Sequence, residues 1–351
     1  MTPYGVVEVP RHVYQSSSGG VVQVPLDRNA HVFGKATPGL TKMINWKYAT
    51  MSAGMVRQDM KINHGVKVSK FFIQNNNHLL GDLICEHEAD WEYELPLMKE
   101  EVTTILLSRD GTTTPIKGEG YRETMAGTIS FLDAKGQRMH TIYTGVAPES
   151  GKQSFDYVFS KEIEKVKTNF SNCTWVGVAD GASDNWTFLE PYTDVQTLDF
   201  FHATGYLGNY AKKRYRGKHQ RRNWVDEACH QLKHETGASQ VLLAEMKEEC
   251  EVLGVLEDKK NPMVQAVTYF TNHSAKMEYP ISQQKNLPIG SGVVEAACKV
   301  LVKQRLSISG CRWERNTVDD ILAVRGLVLT PGRYEQLWQK ITHMDLGGTS
   351  K

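Results

Sequence analysis

Two Asp-Gly pairs and one glutamate beyond a glycine turn are the residues of this sequence best placed to do chemistry together. Asp110-Gly111 follows the β-branched run 102–107, Asp180-Gly181 follows the apolar run 175–179, and Glu295 follows Gly290-Ser291-Gly292. Each Asp-Gly alone reads as a turn. An acid in the first turn of a helix is also ordinary, because the helix dipole tolerates a carboxylate there. The joint arrangement is more specific. Two strand-end aspartates and a glutamate on a late helix are what two-metal phosphoryl transfer needs. Hard Mg²⁺ or Mn²⁺ ions prefer carboxylate oxygens, and two ions about 4 Å apart stabilise the attacking and leaving oxygens together. Three convergent carboxylates would repel one another without the metals.

The pattern around these residues predicts the elements that carry them. Strands are expected at 102–107, 122–132 and 138–146, the last two joined by Asp133-Ala134-Lys135-Gly136 as a hairpin loop. A helix at 155–167 follows, then short strands at 175–179 and 195–198, the second ending in Asp199-Phe200-Phe201-His202. Three adjacent strands, helix, strand, helix, strand is the order of an RNase H-like α/β domain with its first strand central. Asp110 and Asp180 then end neighbouring strands, where α/β sheets place their sites. Ser291 is expected to N-cap the Glu295 helix, with Val294, Ala297, Val300 and Leu301 on its apolar face. Residues 203–285 read as mostly helical.

Residues 1 to about 38 read as irregular. Helices follow, with Leu40, Met43, Ile44 and Tyr48 on one face, a short helix from Ser52, the turn Asn63-His64-Gly65, and a longer helix capped by Ser69. This is the outline of a helix-turn-helix, but the pattern is common and a plain three-helix packing unit is the simpler reading. On the first reading Lys67, Ser69, Lys70, Gln74, Asn75 and Asn76 face a DNA groove. The expected organisation is an N-terminal helical region at 1–95, a first catalytic part at 96–202, a helical insertion at 203–285 and a C-terminal catalytic part at 286–351.

The chain of 351 residues is 40% hydrophobic and 23% charged with a formal net charge of +1, so any nucleic-acid surface must be local. The densest basic run holds Lys212, Lys213, Arg214, Arg216, Arg221 and Arg222, with Tyr215 and Trp224 as candidates for stacking on unpaired bases. Lys299, Lys303, Arg305 and Arg312 extend from the Glu295 segment, either to hold a strand or to pair with surface acids. The six cysteines form no C-x-x-C pair, which argues against a zinc ribbon and suits reduced thiols in a cytoplasm. No apolar run reaches transmembrane length and the N-terminus lacks a signal-peptide core, so a cytoplasmic, nucleoid-associated protein is expected.

Leu107-Ser108-Arg109-Asp110-Gly111, Val176-Gly177-Val178-Ala179-Asp180-Gly181-Ala182 with Trp186, and Leu198-Asp199-Phe200-Phe201-His202 resemble the DDE transposases of insertion sequences. The strongest match is the stretch from Pro288 to Lys299, followed by Gln304-Arg305-Leu306, Ser309-Gly310 and Arg312-Trp313, which is similar to the ISKra-type family. The likeness covers about residues 95–330. The chain lacks the cysteine pair that many members carry before Pro25-Leu26-Asp27. The resemblance implies that Asp110, Asp180 and Glu295 are catalytic and ligate two Mg²⁺ or Mn²⁺ ions. It matches Asp199 and His202 to a D-x-x-H element, here expected to support the site: an Asp-capped helix start with a hydrogen-bonded histidine. The implied activity is cleavage of element ends and transfer of the freed 3′-hydroxyl to target DNA by at least a homodimer. Rival readings are a domesticated, catalytically silent DNA-binding protein, a nuclease of the same fold that does not join, and a helical interaction protein.

Overall fold

The computed structural model describes residues 1–20 and 22–344. The N-terminal part contains a short helix α1 (Pro25–Asn29), then α2 (Pro38–Thr50), α3 (Ala53–His64) and α4 (Lys70–His87). Ser52 and Ser69 cap α3 and α4 by accepting from the amides of Met55 and Phe72, and Gly65 closes α3 in the left-handed region at φ +66°.

Strands β1 (Thr104–Ile116), β2 (Gly120–Leu132) and β3 (Arg138–Val146) follow, then α5 (Gln153–Asn169), β4 (Thr174–Ala179), α6 (Ser183–Leu189) and β5 (Val195–Leu198). They form one mixed five-stranded sheet in the order β3-β2-β1-β4-β5, with β1 central as expected. β1 runs antiparallel to β2 and parallel to β4, and β4 runs parallel to β5.

Asp110-Gly111 is not a turn. Gly111 pairs with Met125, and β1 continues to Ile116. The threonines at 112, 113 and 114 keep the chain extended. The reversal is made instead by Gly118 and Gly120, both at φ +77°. What ends near Asp110 is the parallel pairing, whose last partners are Leu107 and Gly177. Asp180 does end its strand, and Gly181 at φ +102° turns the chain away.

Alternation along β1 sends its side chains to two differently covered faces. Ile105 and Leu107 join Phe155, Phe159 and Ile163 of α5 in the largest apolar core. That core also takes in Trp186, Leu189, Met246, Phe270 and Tyr279. The last three belong to the helical stretch that follows β5: α7 (Phe200–Arg214), α8 (Lys218–His234), α9 (Ala238–Val252), α10 (Pro262–His273) and α11 (Tyr279–Gln284).

The opposite face is covered by α12 (Gly292–Ala297), a π-helical segment (Cys298–Lys303) and α13 (Gln304–Leu306), which run on as one rod. Then come α14 (Arg315–Leu329) and α15 (Arg333–His343). A π segment leaves main-chain carbonyls without their usual partners. Arg325 of α14 meets this need: its Nε lies 2.9 Å from the carbonyls of both Val300 and Leu301, and its other nitrogens reach Val300 and Ala49.

Residues 1–95 do not own their core. Ile44, Tyr48, Met60 and Ile73 share a cluster with Leu301, Val302, Leu306 and Ile321. α4 crosses α14 so closely that a Cβ on Gly81 would sit 2.6 Å from the Cα of Asp320. Among the described residues, no helix is long and apolar enough to cross a membrane.

Candidate active site

Asp110 projects from β1 on the face covered by the α12 rod. Its Oδ1 accepts the Gly111 amide at 2.7 Å, and the Cys298 thiol lies 3.7 Å from Oδ2. Burial pushes the Asp110 carboxyl above its ordinary value; the Gly111 amide pulls it back, and the neighbouring charge of Asp180 pushes it up again. The Cys298 thiol and the nearby His202 also draw it down.

Asp180 is held from three directions. Its Oδ1 accepts from the Ala182 amide at 3.1 Å and from the Asn185 side-chain amide at 3.0 Å. Its carbonyl accepts the Tyr269 hydroxyl at 2.6 Å. Tyr269 comes from α10 and stacks on Tyr206 of α7, with ring centroids 3.8 Å apart. The helical stretch after β5 therefore forms one wall of the site.

Glu295 is exposed on the first turn of α12. Ser291 does not N-cap this helix. Its backbone at φ −86°, ψ 14° lies outside the extended region a capping serine uses. Its hydroxyl instead donates to Glu295 Oε1 at 3.3 Å. The glycine turn is fixed from β5: Asp199, fully buried, accepts the Ser291 amide on Oδ2 and the His202 amide on Oδ1, the latter at 2.7 Å. Asp199 is thus the N-cap of α7 and an anchor for the turn before Glu295.

Ligand atoms of Asp199, His202 and Glu295 lie within 4.8 Å of one another, and oxygen and imidazole donors at such spacing could hold a metal ion. Asp110 and Asp180 fall outside that cluster. Glu295 is nonetheless on the Asp110 side of the sheet, because Cys298, one turn further along the same rod, lies 3.7 Å from Asp110.

The expected DNA contacts divide sharply. On α4 and the turn before it, Lys67, Lys70 and Gln74 are exposed, and Ser69 is exposed but occupied in capping. Asn76 does not face solvent: it is buried between helices, bonded to Asn45 and Thr41. Arg305 is also a correction. It is 1% exposed, gives Nε to the Tyr48 carbonyl at 2.8 Å, and lies between the rings of Tyr48 and Trp313. It fastens α2 to the rod and cannot touch DNA from there. Lys299, Lys303 and Arg312 remain exposed.

In the basic run, Arg214 pairs with Glu249, and Arg221 ties down the carbonyls of Tyr215 and Arg216. Arg222 makes an exposed pair with Asp226. Lys212, Lys213 and Arg216 are exposed. Tyr215 and Trp224 are not free platforms, since Trp224 is stacked on Tyr210 at 5.1 Å and packs against Tyr215.

Sequence reading missed Asn185, Tyr269 and Cys298. Asn185 carried a local signal, five residues past Asp180 at a helix start. Tyr269 had none, because only the tertiary fold brings it to Asp180. No protein family matches this chain, and no curated protein does.

Proposed function

We propose that this chain is a DNA transposase of the DDE type, similar to the ISKra-type family, with an RNase H-like catalytic domain. The strand order with β1 central supports that fold. The observation that carries the functional reading is the meeting of three elements at one place. Asp110 from β1 feels the charge of Asp180 at the end of the adjacent parallel β4, and the Glu295 rod crosses over Asp110.

The donor set fits Mg²⁺ or Mn²⁺: carboxylates of Asp110, Asp180 and Glu295 are hard oxygen ligands, with Asp199 and His202 beside Glu295. When bound, two such ions lower the pKa of an attacking water or 3′-hydroxyl and stabilise the leaving oxygen. The chain's own part is to hold these side chains and to bring a phosphodiester to them. Lys299, Lys303 and Arg312 are exposed on or beyond the rod, and Lys212, Lys213 and Arg216 on α7 and the turn after it offer phosphate contacts. Lys67, Lys70 and Gln74 offer the surface for element-end recognition.

The test is incubation with duplexes carrying the element ends, in Mg²⁺, Mn²⁺ or EDTA. Metal-dependent nicks followed by joined products support transposition. Nicks without joined products leave a nuclease, and binding without nicks leaves a silent DNA-binding protein.

A further inference from the structure

Arg109 precedes Asp110 on β1, so alternation sends it to the opposite face of the sheet. There it is 2% exposed, beneath α5 and α6. Its guanidinium is held by Asp156 at 2.6 Å and Asp184 at 3.2 Å, and lies over the rings of Phe188 at 4.7 Å and Phe155 at 5.6 Å. Two carboxylates face this buried cation, and Asp184 also pairs with Lys152 at 2.8 Å. The Arg109 Nε donates to a neutral group: the Asn185 side-chain oxygen, at 2.8 Å. That bond fixes which end of the amide faces Arg109, and so which end faces away. The Asn185 nitrogen then points at Asp180 Oδ1, 3.0 Å distant.

We propose that Arg109 and Asn185 form a positioning relay for the second metal-binding aspartate: Arg109 orients the Asn185 amide, and Asn185 holds Oδ1 of Asp180 so that Oδ2 is presented to a divalent cation. This rests on the reading of Asp180 as a metal ligand. Asn185 is 4% exposed, so water does not replace it. The asparagine could not be aspartate without setting a second carboxylate against Oδ1. A flipped amide would put its oxygen against Oδ1 and its nitrogen against the Arg109 donor, losing both bonds. One pair of consecutive strand residues thereby serves both aspartates: Asp110 directly on one face, and Asp180 through Arg109 on the other. Neither Arg109 nor Asn185 touches the reacting atoms.

The experiment is Mn²⁺ binding to the full-length protein, read by the electron paramagnetic resonance signal of free Mn²⁺, with no DNA present. Asn185→Leu keeps the branched shape and removes both bonds, while Arg109 retains its two carboxylates. Asn185→Ser is the second variant, with a hydroxyl too short to bridge both neighbours. Asp180→Asn is the reference. Loss of a group that orients a metal ligand typically weakens metal binding by about 10–100-fold. The expected result is a loss of that size in both Asn185 variants, with unchanged far-ultraviolet circular dichroism, and a larger loss in Asp180→Asn. If Asp180→Asn loses Mn²⁺ while folded Asn185→Leu and Asn185→Ser bind it as wild type does, the relay is overturned and the metal site stands. If Asp180→Asn binds Mn²⁺ normally, the metal-site reading fails and the relay with it.

Discussion

The Cys298 thiol lies 3.7 Å from Oδ2 of Asp110, and Cys298 follows Glu295 by one helical turn. The distance locks the rod that carries the glutamate over the strand that carries the first aspartate. The two acids are far apart in sequence, and nothing in the local pattern of either one requires them to meet.

The triad sets the first prediction. Asp110→Asn, Asp180→Asn and Glu295→Gln should each cut the rate of metal-dependent end cleavage by roughly a thousandfold or more, the scale of several kcal/mol of transition-state stabilisation. In metal-free buffer Asp110→Asn should melt at the same temperature as wild type or higher. Its carboxyl is raised above the ordinary value, so its ionised form costs stability in the fold. A markedly lower melting temperature would show that the Asp110 charge stabilises the empty protein.

A second prediction concerns salt. Lys212→Gln, Lys213→Gln and Arg216→Gln together should weaken binding to all duplexes alike. They should also flatten the log–log salt dependence by roughly 0.9 for each phosphate that is no longer neutralised. Arg214→Gln should have less effect on the slope, because Arg214 is already engaged by Glu249. An unchanged slope in the triple variant would mark the run as a solvated face.

The shared core gives a third. Deleting residues 1–95 exposes the apolar sides of Leu301, Val302, Leu306 and Ile321, and strips Arg305 of the Tyr48 carbonyl. The truncated chain should therefore be insoluble or lack a cooperative melt. In the full chain Arg325→Met should cost about 2–5 kcal/mol, since it orphans several buried carbonyls at about 1–3 kcal/mol each. A soluble truncation with a sharp transition would show that the rest of the chain folds without residues 1–95.

Acid stability gives a fourth. His140 is buried against Phe131, and burial, with the Arg333 charge adding, pushes its imidazole down to about 4 from 6.5. The fold therefore prefers neutral His140. That preference is fully present above the unfolded value and is lost as pH falls from about 6.5 to about 4, a change worth up to about 3 kcal/mol. His140→Phe should lose less stability than wild type over that window in urea titrations at several pH values. Parallel curves would disprove the assignment.

Much of this fold was legible in the sequence because strands and helices announce themselves locally. The runs at 138–146 and 195–198 became β3 and β5 without change of bounds. Ser69 capped the helix its type suggested, and a helix does begin just after Ser52. The misreadings were of another kind. Asp110-Gly111 looks like a turn because Asp-Gly is turn chemistry, yet the threonines after it and pairing with β2 keep the strand going. Arg305 and Asn76 look like surface residues by type, and their burial is decided by α2. Asn185, Tyr269 and Arg109 acquire meaning only from contacts between distant segments. Local pattern found the acids; it did not reveal what orients them.

The π segment has a consequence for how the rod can be aimed. In an α-helix each residue advances the azimuth by about 100°, so the direction of Glu295 would ordinarily dictate that of every residue to Leu306. A wide turn at Cys298–Lys303 breaks that rigid phasing. The part before it takes its rotation from Asp199 and Asp110, Arg325 holds the segment itself, and the part after it takes its rotation from Arg305 against Tyr48. The segment acts as a phase shifter between two gears, one cut to fit the carboxylates and the other cut to fit the N-terminal helices. Removing one residue from it would leave both gears intact and out of mesh.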